Sequence, residues 1–176
     1  MRQEERRART RAALLRAAAA SFALRGYDGA SVDAIAASVH LSKGAVYSHF
    51  PTKLDLYLAV LEGLFEQAER RLERVARAAA EGDSPMTAAG RYLGLAGDAE
   101  HAALMSELWR TAAMEPYVRQ EVERFVERRR AVIASSAVEA GRKPADAIEY
   151  AEEVEHLIDA GMLYRRVGDA ARDVTA

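Results

Sequence analysis

Residues 42–50, with the sequence Ser-Lys-Gly-Ala-Val-Tyr-Ser-His-Phe, decide how the rest of the chain is interpreted. Ser42 suits the N-cap of a helix, because its hydroxyl can accept one of the backbone N–H groups that the first turn leaves unpaired. Val46 and Phe50 lie four residues apart, so they share one apolar face. We therefore predict a short helix whose apolar face packs inward.

The remaining positions of this predicted helix carry a cation, small side chains and hydrogen-bonding groups. Phosphates attract cations, and base edges in the major groove of DNA accept short polar contacts from a helix that approaches closely. This face is typical of a recognition helix. The DNA contacts predicted from this stretch are Ser42, Lys43, Gly44, Ala45, Tyr47, Ser48 and His49.

A second short helix is predicted just before the first. Ser31 can cap a helix over residues 32–38, in which Val32, Ile35 and Ala36 recur at the spacing of one helical face. Two short helices joined by a turn of three to four residues form a helix-turn-helix. We include Ser31 among the DNA-binding residues. The alternative is an ordinary helical hairpin within a bundle.

The chain resembles the N-terminal signature of TetR-family transcriptional repressors at residues 35–36 and 41–50, at Lys53 and at Leu56. The resemblance covers about residues 10–60, and its Lys-Gly-x-x-Tyr-x-His-Phe-x-x-Lys pattern is highly specific. The family usually has Gly in the turn where this chain has His40. A left-handed turn costs a residue with a Cβ about 1–2 kcal/mol, although His visits positive φ more often than most residues. We expect a slightly strained or shifted turn.

The resemblance implies a homodimeric repressor that binds a palindromic double-stranded DNA operator and is released by a small-molecule effector. Residues 1–51 would form the helix-turn-helix DNA-binding domain, called the head below, with a mobile basic arm over residues 1–8. Residues 52–176 would form the effector-binding and dimerisation domain. TetR-like proteins commonly carry another helix beyond the position of Ala176. The dimer interface would therefore be incomplete, or it would be built from helices around 116–140 and 145–167. Gly161 would then allow close helix approach across it.

The charge distribution agrees with a DNA-binding N-terminal third. Residues 1–53 contain nine Lys or Arg and four Asp or Glu, a net charge of +5, whereas the remainder has 16 against 23, a net charge of −7. A basic segment joined to an acidic remainder indicates that only the first part meets a polyanion. A membrane surface could use the same charge, but the first helix is poor in the large aromatic and aliphatic residues that an interfacial anchor needs.

The helical pattern continues on both sides of the helix-turn-helix. A first helix is predicted from about Arg9 to Arg25 and ends at Gly26. Thr10 and Arg11, at its start, are placed to contact phosphates. After the head, Thr52 and Asp55 form a capping box that begins a long helix. Lys53, in the first turn of that helix, is also placed to reach a phosphate.

The rest of the chain indicates five helices in all after the head. Breaks are predicted at residues 82–85 and 97–98, and Pro116 and Pro144 each open a helix. With the head, this gives about eight helices and an all-α fold, which the abundance of Ala, Leu, Glu and Arg favours.

Other kinds of chemistry find little support. The chain has no cysteine, its four histidines lack metal-ligand spacing, and no nucleophile elbow or phosphate loop is present, so we predict no metal, no cofactor and no enzyme activity. No signal peptide or apolar run of membrane-spanning length is visible, which favours a cytoplasmic protein. The run Arg128-Arg129-Arg130 follows acidic residues at helical spacing, which indicates a solvated, salt-bridged face.

Large apolar and aromatic side chains in residues 64–125 have two interpretations. They are the core of the bundle, or they line a pocket for a largely apolar effector, since Met and aromatic residues adapt to varied ligands. The family resemblance supports the second interpretation, the effector pocket. The candidate pocket residues are Leu64, Phe65, Met86, Tyr92, Met105, Leu108, Trp109, Met114, Tyr117 and Phe125.

Together these observations predict a dimeric, all-α, DNA-binding repressor. The alternative from another class is a helical small-molecule-binding or interaction protein that has lost specific DNA binding, which only His40 supports.

Overall fold

The computed structural model describes residues 2–77, 84–95 and 99–173. Every regular element in these ranges is an α-helix, so the predicted fold class is confirmed. The predicted breaks at Gly82-Asp83 and Gly97-Asp98 lie outside the described residues. The helices are α1 (Arg2–Gly29), α2 (Val32–Ser38), α3 (Lys43–Tyr47), α4 (Lys53–Arg77), α5 (Pro85–Gly94), α6 (Ala99–Met114), α7 (Pro116–Glu139) and α8 (Pro144–Asp173).

The first helix begins earlier than predicted, and this is a correction. Residues 2–8 belong to α1 instead of forming an arm without secondary structure. They are Arg, Gln, Glu and Ala, all strong helix formers, and Glu4 and Glu5 lie in the first turn, where the helix dipole favours acids. Gly26 interrupts α1 with φ 71° and ψ 171°, close to the predicted end.

The helix-turn-helix forms as the local sequence predicts. The Ser31 hydroxyl accepts the Ala34 N–H at 3.5 Å, and the Ser42 hydroxyl accepts the Ala45 N–H at 3.2 Å. α3 is shorter than predicted, since it ends at Tyr47. Val46 and Phe50 are nevertheless both buried.

The turn between α2 and α3 is a Schellman motif with His40 in its left-handed position. The Leu41 N–H donates to the Ala36 carbonyl at 2.9 Å, and the His40 N–H donates to the Ala37 carbonyl at 3.1 Å. His40 has φ 56° and is the one non-glycine residue of the described ranges with positive φ. The predicted left-handed turn is therefore confirmed.

The chain packs into two compact units. Of the described residues, 2–64 and 99–118 form the first, and 65–77, 84–95 and 119–173 form the second. In the first unit α6 packs against α1, so the head and α6 share one unit. The core of this unit contains Leu14, Phe22, Ile35, Val46, Leu56, Tyr57 and Leu108.

The second unit is built around close packing of α5 against α8. Its core contains Tyr92, Ile133, Tyr150, Val154 and Ile158. Gly161 lies here as well, and a Cβ at this position would overlap the Leu93 side chain. The small size of Gly161 therefore serves the packing of α5 on α8 within the chain, and its part in a dimer interface stays a prediction.

The predicted solvated face at residues 128–130 also needs correction. Arg129 is buried, with 1% of its side chain exposed, and its Nη2 donates to Glu155 and to Asp159 of α8, each at 2.8 Å. Arg130 also pairs with Glu155 at 2.8 Å. The sequence pattern suggested partners on the same helix, whereas the packing of α7 on α8 supplies them.

Candidate nucleic-acid interface

The predicted recognition face of α3 is open to solvent. Lys43, Gly44, Tyr47 and Ser48 are exposed, whereas Val46 on the opposite side is 1% exposed. Ala45 and His49 are half-buried. The apolar side of α3 thus anchors it to the head, and the polar side is available for a partner. The contact of these residues with DNA stays a prediction.

Three predicted contact residues have local structural partners. Ser31 and Ser42 use their hydroxyls as N-caps, and the Ser48 hydroxyl donates to the Ala45 carbonyl at 2.7 Å. All three serines are exposed. Their first role in this structure is to define the ends of α2 and α3, which fixes the orientation of the recognition face.

The two predicted phosphate-binding lysines are held by acceptors of the head itself. Lys43 Nζ lies 2.8 Å from Asp33 Oδ2, and this hydrogen bond raises the pKa of Lys43. Lys53 Nζ donates to the Asp28 carbonyl at 3.2 Å and lies 4.9 Å from the centroid of the Tyr27 ring. Asp28, Asp33 and Tyr27 were not among the predicted site residues, because each is far from its lysine in sequence.

The start of α1 adds cations beside the end of α3. Thr10 is half-buried and Arg11 is exposed, with the Arg11 guanidinium 5.2 Å from the centroid of the Phe50 ring. Burial, followed by the charges of Arg7 and Arg11, holds the pKa of His49 below its ordinary value. Arg7 was missed because it fell in the predicted arm. Its spacing of four residues from Arg11 was the available signal, since that places both on one helical face.

The candidate pocket residues are divided between the units and differ in exposure. Leu64, Met105, Leu108, Trp109, Met114 and Tyr117 belong to the first unit, and Phe65, Met86, Tyr92 and Phe125 to the second. Phe65 and Phe125 stack in the second unit, with ring centroids 4.2 Å apart.

Four of the candidate pocket residues are exposed: Trp109, Met86, Tyr117 and Met114, at 39%, 65%, 66% and 76%. These four are therefore surface residues in this structure, and the rest are core residues of their own units. The pocket stays a prediction.

Two further properties concern the described part of the chain. It contains no group of three or more His, Cys, Asp or Glu residues arranged to hold a metal ion. None of its helices combines the length and the apolar character needed to cross a lipid bilayer.

Comparison with known proteins agrees with the structure of the head. The sequence pattern described as "Bacterial regulatory proteins, tetR family" matches residues 14–60. The chain is 33% identical over 136 residues to the HTH-type transcriptional regulator CymR of Pseudomonas putida, which covers 74% of this chain and 64% of CymR. It is 50% identical over 52 residues to the HTH-type transcriptional activator FasR of Mycolicibacterium smegmatis, which covers 30% of this chain and 24% of FasR. The chain thus spans less than two thirds of the length of each of these relatives.

The fold is likewise found among solved structures. A protein from Mesorhizobium loti described as a TetR-family transcriptional regulator aligns with a TM-score of 0.65 and 23% identity, over 88% of this chain and 98% of that one. The named relatives are described as transcriptional regulators, in agreement with the prediction that the chain is not an enzyme. From the matched residues 14–60, the relatives and the shared helical fold, the chain belongs to the TetR family of bacterial regulatory proteins.

Proposed function

We propose that this chain is a transcriptional repressor that binds a palindromic operator as a homodimer and releases it when a small-molecule effector binds. Residues 1–51 supply the DNA-binding domain, and residues 52–176 supply the effector site and the dimer interface. The observation that carries this proposal is the exposed face of α3, which presents Lys43, Gly44 and Tyr47 to solvent.

Gly44 supports this interpretation because the fold does not require it. A Cβ at Gly44 would meet nothing closer than the Ser42 hydroxyl, at 3.9 Å. Glycine inside a helix lowers stability by about 0.5–1 kcal/mol relative to alanine. Its presence in such a short helix is therefore not explained by folding. Close approach of the helix to a duplex would explain it, because a methyl group would then point at the partner.

The charges around α3 suit a polyanion. Lys43, Lys53, Arg7 and Arg11 provide cations on α3, on the start of α4 and on the start of α1. Each phosphate that such a side chain neutralises adds affinity and steepens the salt dependence of binding. These contacts position the head, and the side chains of Tyr47, Ser48 and His49 would read base edges.

A paired Gly→Ala substitution tests DNA binding separately from folding. Gly44→Ala should leave the thermal unfolding midpoint unchanged or higher, because alanine favours the helix, and should weaken operator binding about tenfold, as one lost close contact implies. Gly63→Ala is the matched control, since Gly63 lies in α4 and a Cβ at this position would meet no atom within 4 Å. The operator would be selected from a random pool of duplexes.

Unchanged affinity in Gly44→Ala would remove α3 from the DNA interface. Failure of the random pool to enrich any sequence would favour the second candidate function, a helical small-molecule-binding or interaction protein without specific DNA binding.

The dimer follows from the number of contacts that one head can make. One three-helix head supplies few base contacts, so two heads related by a two-fold axis would read half-sites about 34–36 Å apart or a multiple of this distance. Sedimentation of the protein with and without duplex would measure the stoichiometry. One protomer per operator would contradict this part of the proposal.

The direction of regulation is testable in cells. Removal of a repressor should raise transcription from a promoter that carries the selected operator, whereas removal of an activator should lower it. The relative FasR is named an activator, so this experiment decides between repression and activation.

Effector release is the third part of the proposal. Trp109 is the only tryptophan and is 39% exposed, so its fluorescence can report a change at α6. A compound that weakens operator binding 100-fold corresponds to about 2.7 kcal/mol of differential binding between the two states. Such a compound should change Trp109 emission in the free protein, and no change would place the effector site away from α6.

A further inference from the structure

The break in α1 exposes a backbone N–H that α6 satisfies. Because Gly26 leaves the helical conformation, the Tyr27 N–H has lost its regular acceptor within the helix. The Glu107 carboxylate of α6 accepts this N–H through Oε1, across 80 residues of sequence. A Cβ at Gly26 would lie 3.2 Å from both carboxylate oxygens, so the glycine also makes room for the carboxylate.

Glu107 is held firmly in this position. Arg110 donates to it twice, from Nε to Oε2 at 2.9 Å and from Nη2 to Oε1 at 2.6 Å. The Thr111 hydroxyl lies 3.2 Å from Oε1. Burial alone would raise the pKa of Glu107, but these donors and the Tyr27 N–H hold the pKa below its ordinary value, so the carboxylate is ionised at neutral pH.

The residues that Glu107 and Arg110 hold are the same residues that hold Lys53. Tyr27 places its ring 4.9 Å from Lys53 Nζ, and the Asp28 carbonyl accepts from Lys53 Nζ at 3.2 Å. Asp28 in turn pairs through Oδ2 with Arg110 Nη2 at 3.0 Å. A continuous set of contacts therefore runs from α6 through residues 27–28 to the ammonium group of Lys53.

We propose that Glu107 is a positioning residue for DNA binding, which sets the place of Lys53 by holding the α1 break at Tyr27 and Asp28. This inference rests on the proposed function, in which Lys53 meets a phosphate. It adds that the Glu107 contact governs whether Lys53 is placed for that phosphate. A shift of α6 that breaks the Glu107–Tyr27 hydrogen bond would release Lys53.

A purely structural role for Glu107 makes a different prediction. If Glu107 only stabilises the fold, its loss lowers the unfolding midpoint and weakens DNA binding by the same factor whatever residue stands at position 53. If it acts through Lys53, its effect on DNA binding disappears once Lys53 is gone. A double-mutant cycle separates the two roles, because residues in one network show coupling that independent sites lack.

The experiment measures binding to a mixed-sequence duplex of about 30 base pairs, three helical turns, as a function of salt. Lys53→Ala should lower the slope of log affinity against log salt by about 0.9, as one lost phosphate contact requires. Glu107→Ala should lower the same slope and weaken low-salt binding about five- to tenfold, since a hydrogen bond to a charged group is lost. In the Lys53→Ala background, Glu107→Ala should change binding less than about twofold.

Two further variants act as controls. Glu107→Gln keeps an oxygen that can accept the Tyr27 N–H, so it should retain most of the affinity while it loses the ion pair with Arg110. Glu100→Gln makes the same charge change at an exposed position of α6 and should leave the salt slope unchanged. All variants are compared at a temperature where circular dichroism shows full helicity.

The outcomes distinguish this inference from the proposed function. If Lys53→Ala leaves binding and salt slope unchanged, the assignment of Lys53 to a phosphate fails. If Lys53→Ala acts as expected but Glu107→Ala weakens binding equally in both backgrounds, only the positioning role of Glu107 fails.

Discussion

Lys43 Nζ lies 2.8 Å from Asp33 Oδ2, so the recognition helix α3 and the preceding helix α2 are joined by an ion pair on the surface expected to meet DNA. The side chains are 51% and 62% exposed, which makes the pair easy to exchange for a phosphate. Asp33 therefore holds Lys43 in place in the free protein, and its negative charge would repel the phosphates of a DNA duplex.

Replacement of Asp33 should strengthen DNA binding. Asp33→Asn removes a negative charge near the phosphates and releases Lys43, so affinity at low salt should rise about two- to fivefold, mainly through faster association. Stopped-flow binding to the selected operator measures this. Lys43→Ala should have the opposite effect. Weaker binding by Asp33→Asn would mean that the ion pair orients Lys43 for the complex.

His40 should be a site where glycine stabilises the protein. The left-handed conformation costs a residue with a Cβ about 1–2 kcal/mol. Glycine avoids this cost but gains freedom in the unfolded chain, so His40→Gly should raise the free energy of unfolding by about 0.5–1 kcal/mol. Urea denaturation gives the value.

Gly141 occupies the same left-handed position in a second turn of the chain and serves as a comparison for His40. Gly141 has φ 97° in the same motif, with the Arg142 N–H bonded to the Ala137 carbonyl at 3.0 Å and the Gly141 N–H to the Val138 carbonyl at 2.9 Å. Gly141→Ala should therefore lower the free energy of unfolding by about 1–2 kcal/mol. Equal, negligible effects of the two substitutions would show that the motif tolerates any residue at this position.

The buried ion pair of the second unit should be costly to break. The side chains of Arg129 and Glu155 are each 1% exposed, and Arg129 Nη2 lies 2.8 Å from Glu155 Oε1. Burial alone would lower the pKa of Arg129, but Asp159 and Glu155 raise it above its ordinary value, so the guanidinium stays charged. Glu155→Ala leaves this charge short of a partner and should cost about 3–5 kcal/mol in urea denaturation.

Glu69→Ala is the matched control for Glu155→Ala. Glu69 pairs with Arg128 at 2.7 Å in the same unit, but the side chains are 26% and 49% exposed. An exposed pair contributes about 1 kcal/mol or less. Similar losses in the two variants would mean that burial does not decide the strength of the Arg129–Glu155 pair.

His49 should make stability depend on pH in the weakly acidic range. Its pKa is lowered in the folded protein, first by burial and then by Arg7 and Arg11. The unfolded chain, with a histidine pKa of about 6.5, then binds the proton more readily, so the free energy of unfolding falls as pH drops from about 7 through that value. His49→Gln should remove this part of the pH dependence.

Chemical denaturation of both proteins at about pH 7.5 and about pH 5.5 brackets the transition. The difference between wild type and His49→Gln isolates the histidine from the carboxylates. Parallel pH profiles for the two proteins would show that the environment of His49 does not perturb its titration.

The ends of the helices were predictable because their causes are local. Ser31, Ser42 and Ser84 cap their helices through an N–H three residues ahead, and Thr52 and Asp55 exchange hydrogen bonds in the predicted capping box. Each of these interactions lies within one helical turn, so the residue types alone specify it. The exposed face of α3 follows in the same way from the spacing of Val46 and Phe50.

The first-helix boundary shows where local reasoning was incomplete. A helix can form from residues with high helix propensity even where no apolar stripe is present. Residues 2–8 have high helix propensity but no apolar stripe. Apolar periodicity therefore placed the start of α1 too late, and Arg7 was missed as a neighbour of His49.

The amino-acid sequence by itself determined the all-α class, the helix-turn-helix with its left-handed turn at His40, and the face of α3 that is exposed. Only the tertiary structure decided which charges meet: Lys43 with Asp33, Arg129 with Glu155 and Glu107 with the Tyr27 backbone. The physical reason is separation along the chain, since these partners lie 10, 26 and 80 residues apart. Helical periodicity fixes neighbours three or four residues away, whereas distant partners are brought together by the burial of apolar faces.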